Sequence, residues 1–146
     1  MSVSAQRCNS PVIVAWFTLR RHEPPSGRML DCVVLAQRPP AQELLSEGIA
    51  ELACRIQEVV RAPRGEEHAG AAVIFGLTQD PQSVLALAAV RGFVLSAAQE
   101  LGQRLKLNLV VHRGGESELQ STLDYLADPL SAYVHAATLM LGDPQP

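Results

Sequence analysis

Short apolar runs of strand length alternate along this chain with longer helical segments, and this alternation constrains the fold more than any other feature. Five runs are rich in β-branched and aliphatic residues, which favours strands. They are VIVAWFTLR, LDCVVLA, AAVIFGL, LKLNLVVH and the stretch Tyr133–Leu141. Strands that alternate with helices are typical of a parallel sheet covered on both faces. The sequence therefore predicts an α/β domain with a mostly parallel sheet of about five strands.

Two long helices are predicted between these strands, and they differ in pattern. From Gln42 to Arg61 the apolar residues follow steps of four, three, four and three, which is typical of an amphipathic helix. The helix over 82–104 is apolar nearly all the way round, with Arg91 as the only charge before Glu100. A helix that lies on a sheet needs only one apolar stripe. The second apolar side of the helix over 82–104 therefore indicates a second contact, either with another helix or with another subunit. A shorter third helix is predicted over Ser117–Ala127.

The N-terminal part of the chain is predicted to form an edge of the sheet. Only about ten residues link the first two strands, which is less than a helical crossover needs, so we expect the first strand to be antiparallel. Residues 1–10 are polar and are expected to be disordered. The length of 146 residues predicts one domain over 1–146.

Composition narrows the functional classes. The net charge of -3 comes without a basic run, which argues against nucleic acid as a partner. Arg91 in the middle of the apolar helix argues against a membrane span. Three widely spaced cysteines, Cys8, Cys32 and Cys54, together with the lack of a signal sequence, predict a reducing, cytoplasmic compartment.

Metal or nucleophilic chemistry is not expected. The four histidines, His22, His68, His112 and His135, are too dispersed for metal-ligand spacing, and no cysteine pair is spaced C-x-x-C. Ser83 has no histidine or acid at helical spacing to activate it, so a capping or packing role is favoured. No metal site is predicted.

Two longer segments resemble the short-chain dehydrogenase/reductase family. AAVRGFVLSAAQELGQRLKLNLVV is similar to that family's catalytic-helix region, and ELQSTLDYLADPLSAYVHAATLMLG is similar to its C-terminal region. The resemblance covers about four-fifths of the chain and begins near the family's fourth strand. It implies a truncated, Rossmann-like three-layer sandwich that lacks the nucleotide-binding first half.

The residues that make this family catalytic are missing here. No two glycines are separated by one residue, so the G-x-G turn that holds a dinucleotide is absent and no cofactor is expected. In the resemblance, Ser83 and Leu87 stand at the positions of the family's catalytic tyrosine and lysine, and the chain's only lysine, Lys106, lies elsewhere. No catalytic residue is therefore predicted.

The resemblance implies a non-catalytic subunit of an NAD-dependent dehydrogenase. Its partner would be a full-length paralogue in a heterodimer or heterotetramer, as for the inactive subunit of the 2-[hydroxy(phenyl)methyl]succinyl-CoA dehydrogenase of anaerobic toluene degradation. In the family, the two matching helices pair across a two-fold axis. The subunit interface is then predicted to comprise residues from both long helices, namely Leu45, Ile49, Leu52, Ile56, Leu87, Val90, Val94 and Leu101.

A small ligand-binding or regulatory domain is the alternative. Arg38 follows the second predicted strand, Thr78 the third and Arg113 the fourth. The carboxyl ends of parallel strands meet at one edge, where α/β folds place ligands, so these residues are candidates for an acyl-CoA or another anion. Ordinary surface arginines explain them equally well.

Overall fold

The fold is a mixed α/β domain built on one five-stranded sheet. A computed structural model describes residues 16–25, 28–35, 42–62, 65 and 67–142. The predicted disordered segment 1–10 lies outside these residues. The strands follow one another across the sheet in chain order, β1 (Phe17–His22), β2 (Met29–Leu35), β3 (His68–Gly76), β4 (Leu107–His112) and β5 (Thr138–Met140).

The parallel part of the sheet is connected by three helices. These are α1 (Leu45–Arg61), α2 (Pro81–Leu101) and α3 (Glu116–Ala127), with short 3-10 turns at Gln42–Leu44 and Pro129–Ser131. β1 pairs antiparallel with β2, whereas β2 through β5 pair parallel. The predicted fold class and the antiparallel edge position of the first strand are confirmed.

β3 lies at the centre of the sheet. Its residues Ala69 through Phe75 are all buried, as expected for a parallel strand covered on both faces. Gly70, the second residue of this run, has a φ of +124°, and a Cβ there would lie 2.8 Å from the carbonyl oxygen of Lys106. Glycine is therefore required where β3 approaches the segment that leads into β4.

The two faces of the sheet are covered by different helices. α1 and α2 pack on one face, where their side chains meet Val33, Val73, Phe75, Leu107 and Leu109. α3 covers the other face through Leu119, Leu123 and Leu126, which meet Leu30, Ile74 and Val110. The predicted three-layer arrangement is thus present, with two helices on one side and one on the other.

The third crossover differs in hand from the first two. The strands step across the sheet in one direction from β2 to β5, yet α3 lies on the face opposite to α1 and α2. Since direction and face together set the hand of a parallel crossover, the β4–α3–β5 connection has the opposite hand to its two predecessors. Right-handed connections are the rule in α/β folds, so this crossover is a distinctive feature of the chain.

The last strand is shorter than the predicted Tyr133–Leu141. Asn108 on β4 is buried and donates from Nδ2 to the oxygen of Val134 at 2.9 Å, while its Oδ1 accepts from the N–H of Ala137 at 2.9 Å. Ala136 has a φ of 61°, which an extended strand does not allow. Before Thr138 the chain therefore contacts β4 through these side-chain bonds together with two backbone bonds, from the N–H of Ala136 to the oxygen of Leu107 and from the N–H of Leu109 to the oxygen of Ala137. Tyr133 is 98% exposed.

Candidate functional site

Helix α2 begins with a well-formed cap. The carboxylate of Asp80 accepts from the N–H of Gln82 at 3.0 Å, and Pro81 occupies the first turn, where no N–H is needed. Ser83 is buried, and its Oγ accepts from the N–H of Thr78 at 3.0 Å. Ser83 therefore holds the turn that leads from β3 into α2.

The inner face of α2 is part of the core. Its buried residues recur at helical spacing and pack on the sheet, namely Ser83, Ala86, Val90, Val94, Ala98 and Leu101. Five residues of the predicted subunit interface are core residues, since Leu52, Ile56, Val90, Val94 and Leu101 are all buried within this chain. Leu45, Ile49 and Leu87 are partly buried and pack against the same cluster. The five buried positions are therefore part of this chain's own core, while the predicted interface role of the three partly buried positions stays a prediction.

The opposite side of α2 is apolar and open. We call this the outer face, and it comprises the exposed residues Val84, Leu85, Ala88, Gly92 and Ser96. Val84 is 56% exposed and Leu85 is 41% exposed, which is high for large aliphatic side chains. Arg91 is the only charge between Pro81 and Glu100. The sequence prediction of a second apolar side on this helix therefore corresponds to the outer face.

Gly92 is the residue on the outer face that packing within the chain does not explain. A Cβ at this position would meet nothing within 4 Å. Glycine in the middle of a helix costs about 0.5–1 kcal/mol relative to alanine. A residue that destabilises the helix without an internal reason is consistent with close approach by another molecule.

α2 is also the one helix of the described residues that is long and apolar enough to span a membrane, judged by length and composition. Only 28% of its most apolar stretch is buried in the fold. Its inner face nevertheless packs on the sheet of an α/β domain. A helix that packs on a sheet along its length is not surrounded by lipid, so the outer face alone is open to a partner.

The outer side of α1 is polar by comparison. Arg55 donates to Glu58 at 2.7 Å, and its guanidinium lies 3.9 Å from Glu51. Glu51 in turn accepts from the N–H of Trp16 at 2.9 Å, which fastens the start of β1 to this helix. The two helices were predicted to act together in an interface, but of the two only α2 carries large apolar side chains that are exposed, Val84 and Leu85. Other exposed large apolar residues lie near α3 and β5 and include Tyr125, Leu130, Tyr133 and Met140.

The residues predicted to bind an anion are only partly placed by the structure. Thr78 and Arg113 are exposed and follow the neighbouring strands β3 and β4. The hydroxyl of Thr78 accepts from the N–H of Asp80 at 3.3 Å, and the stem of Arg113 passes close to Gly142. Arg38 lies outside the described residues. The anion site at this edge stays a prediction.

Three of the four histidines are engaged by the backbone. His68, His112 and His135 each accept a backbone N–H at Nδ1, from Gly70, Gly114 and Leu107 respectively. His22 bonds Asp124 at 2.7 Å. Within the part of the chain that the structure describes, no group of three or more His, Cys, Asp or Glu side chains is arranged to hold a metal ion. The histidines therefore serve the fold.

A buried acid–base pair was missed by the sequence analysis. His68 on β3 lies 2.7 Å from Asp31 on β2, and both side chains are nearly inaccessible to solvent. Arg21 on β1 approaches the same carboxylate at 3.5 Å. Since Nδ1 of His68 accepts from Gly70, its Nε2 carries the proton that bonds Asp31. The pair links three adjacent strands.

An open groove lies between α3 and the edge strand β5. Its volume is about 430 Å³, and it is lined by Tyr125, Thr138, Leu139 and Met140 among others. Glu118 is the only charged residue of its lining. Small-molecule sites usually are enclosed and bury most of the ligand, whereas this groove is open.

Comparison with known proteins supports the fold only. No protein-family model matches the chain, and no curated protein matches its sequence. Among solved structures, BdcA (YjgI) from E. coli is similar, with a TM-score of 0.55 and 15% sequence identity. The match covers 75% of this chain and 58% of BdcA, so this chain spans less than two thirds of that protein.

These findings overturn the family assignment. Membership of the short-chain dehydrogenase/reductase family required a matching family model or a clear relative, and neither is found. The two segments that resembled that family describe a small-residue helix, a strand and a short helix, which many α/β domains contain. The assignment is therefore wrong, and the identification with an inactive toluene-pathway subunit has no support. At 15% identity the likeness to BdcA shows an α/β fold and nothing further.

Proposed function

We propose that this protein is a non-catalytic subunit that binds another folded protein through the outer face of α2. The observation that carries the proposal is the division of α2 into two apolar sides. The inner side is buried against the sheet, whereas the outer side exposes Val84 and Leu85 around small residues. Contiguous exposed apolar surface of this kind marks interaction sites in soluble proteins.

The chemistry of the outer face favours a helix as the contacting element. Ala88, Gly92 and Ser96 are spaced four residues apart and lie on one side of α2. Small side chains let two helix backbones approach closely, with the larger Val84 and Leu85 contributing apolar area at the end of the contact. Covering each of these two half-exposed side chains contributes on the order of 1 kcal/mol. Arg91 at the margin supplies a point for charge pairing.

The engagement of potential reactive groups supports a non-catalytic role. Ser83 is a buried turn residue, and His68, His112 and His135 use their Nδ1 atoms to accept backbone N–H groups. The three donors of the Lys106 ammonium bond Leu126 and Ser131. A general base or nucleophile needs a free, oriented atom that faces substrate. The Oγ of Ser83, the Nδ1 atoms of these three histidines and the Nζ of Lys106 are each engaged within the fold.

The partner is proposed to be a folded subunit with a matching apolar helix. The first candidate to test is a full-length NAD-dependent dehydrogenase encoded beside this chain, because assembly with such a protein does not require that this chain belong to the same family. The test is co-expression of the two chains, followed by native mass spectrometry and an NADH assay. We expect a mixed complex that contains this chain and depends on it for full activity.

The variant Ala88→Glu places a charge in the centre of the outer face, and Ala50→Glu is its matched control on the exposed side of α1. Ala88→Glu should dissociate the complex, and Ala50→Glu should leave it intact. Assembly that survives both changes would contradict the proposal. Binding of the chain to liposomes in place of any protein would contradict it as well.

A further inference from the structure

A second feature lies at the amino-terminal edge of the sheet and shares no residue with the outer face of α2. Arg28 directly precedes β2, His68 begins β3 and Lys106 directly precedes β4, so three adjacent parallel strands start beside one another with these residues. Together with Gln103 and Arg104, which follow the end of α2, they line a pocket of about 340 Å³.

The lining of this pocket is cationic. It includes two arginines and one lysine, Arg28, Arg104 and Lys106, beside the imidazole of His68, whose Nδ1 accepts a hydrogen bond from Gly70. Among the described residues that line it, none is an aspartate or glutamate. Asp31, which is paired with His68 and approached by Arg21, is not among the lining residues, and the exposed Glu67 directly precedes His68. The pocket therefore concentrates positive charge in a small volume.

The ammonium group of Lys106 adds positive charge to the pocket, but its N–H donors already form hydrogen bonds within the fold. Its Nζ donates to the oxygen of Leu126 at 2.9 Å, to the oxygen of Ser131 at 3.1 Å and to the Oγ of Ser131 at 3.0 Å. These bonds cap the carboxyl end of α3, where a cation also favours the helix dipole. Burial first, and the like charge of Arg28 second, lower the pKa of Lys106 from 10.5. Arg28 and Lys106 thus repel each other across the pocket.

Arg28 is the cation that the fold does not explain. It precedes a strand rather than the end of a helix, so no helix dipole accounts for its position. Its described contact is a long hydrogen bond from Nη2 to the carbonyl oxygen of His68, at 3.4 Å. A guanidinium carries five N–H donors in a planar fork, so this one contact leaves Arg28 with donors that suit a planar or tetrahedral anion.

We propose that this pocket binds a small anion, a phosphate or carboxylate group, through the guanidinium groups of Arg28 and Arg104. The backbone turn at Gly70 forms the floor, where the close approach to Lys106 leaves no room for a side chain. Ligand pockets span roughly 300–1,000 Å³, so this volume suits a compact anion rather than a dinucleotide. The site lies at the edge opposite to Thr78 and Arg113 and is separate from the outer face of α2.

The chain's single lysine makes a direct test possible. A sample labelled with ¹³C at the lysine Cε gives one lysine signal, that of Lys106. Inorganic phosphate and, separately, citrate are titrated at constant ionic strength against potassium chloride. We expect one of the two anions to shift this signal saturably and to raise the pKa of Lys106, because a bound negative charge offsets Arg28 and the effect of burial.

The variants Arg28→Gln and Arg104→Gln each remove one guanidinium group, and Arg113→Gln is the matched control at the opposite edge. Each pocket variant should weaken binding of the effective anion about tenfold or more, while Arg113→Gln leaves it unchanged. Circular dichroism checks that the variants fold. The absence of a saturable shift with either anion would overturn the proposal, and so would equal binding by all three variants.

Discussion

The imidazole of His135 donates a hydrogen bond from Nε2 to the carbonyl oxygen of Ala98, at 2.9 Å. Its Nδ1 accepts from the N–H of Leu107 at 3.1 Å, so one ring joins the last turns of α2 to the first residue of β4. The inner face of α2 is therefore fixed by polar as well as apolar contacts. No residue of the outer face belongs to the core cluster, and this asymmetry is the basis of the proposed function.

Replacing His135 should destabilise the domain. His135→Ala leaves the N–H of Leu107 and the oxygen of Ala98 without their partner, and a loss of about 1–3 kcal/mol in the free energy of unfolding is expected. His112→Ala is the control, because its ring also accepts a backbone N–H, but from the exposed Gly114. Urea denaturation measures both. An equal loss for the two variants would show that His135 is not a special anchor.

A charge introduced on the inner side of α2 should destabilise the domain strongly, whereas a charge on the outer face should hardly change its stability. Val94 is fully buried, so Val94→Asp places an unpaired carboxylate in the core and should cost more than about 3 kcal/mol. Ala88→Glu on the exposed side should change stability by less than about 0.5 kcal/mol. Thermal unfolding of the isolated chain measures both values. Similar losses would mean that the outer face is covered by the chain itself.

The thiol of Cys32 should be inert in the folded protein. Burial, with the carboxylate of Asp31 as a second cause, raises the pKa of Cys32 to about 12. At pH 8 the thiolate that reacts with disulfide reagents is absent, so labelling of this cysteine should require unfolding. Ellman's reagent followed by peptide mapping tests this. Rapid labelling of Cys32 in the native state would contradict the buried position.

Because the pKa of Cys32 is raised on folding, the stability of the folded chain should change with pH. Between pH 9.0 and about 12 the unfolded chain has released the Cys32 proton, whereas the folded chain retains it. The folded state then binds more protons, so the free energy of unfolding falls as the pH rises above 9. Cys32→Ala should remove this part of the pH dependence in urea denaturation. If the contribution of Cys32 to the free energy of unfolding rose as the pH increased above 9, the prediction would be contradicted.

Lys106 should make the stability of the folded chain change with pH in the opposite direction. Its pKa in the folded chain is below 10.5, so between the folded value and 10.5 the unfolded chain holds the proton that the folded chain has released. Stability from this group therefore rises with pH across that window. Arg28→Gln removes the like charge and should move the pKa of Lys106 upward, as followed by the single lysine signal. An unchanged or lower pKa would contradict the assigned cause.

The spacing of apolar residues predicted most of the helices and strands, because each apolar run follows either the helical or the strand repeat. The strands around Val33, Val73 and Leu109 and the helix from Leu45 to Arg61 are where the pattern placed them. The last strand was predicted too long, because the bonds made by Asn108 and His135 depend on tertiary contacts. A positive φ at Ala136 likewise has no signal in the sequence.

The candidate sites were harder to predict than the fold. α2 is apolar on all sides, so its sequence shows that two surfaces are present but not which residues each contains. Val90 and Val94 were therefore assigned to an interface although they pack on the sheet. The cationic pocket had a partial signal, since Arg28 and Lys106 each directly precede a strand. Their approach to Arg104 follows from the order in which β2, β3 and β4 lie side by side, which the sequence pattern alone does not specify.

The most direct test of the proposed function is a thiol footprint of α2 in the assembled complex. Ala88→Cys and, as its control on α1, Ala50→Cys are each introduced after Cys8→Ser, and modification by a maleimide is timed with and without the partner. The proposal predicts that the partner slows labelling of Ala88→Cys at least tenfold while Ala50→Cys reacts as before. Unchanged labelling of Ala88→Cys in a complex that has formed would show that the partner binds elsewhere and would contradict the central claim.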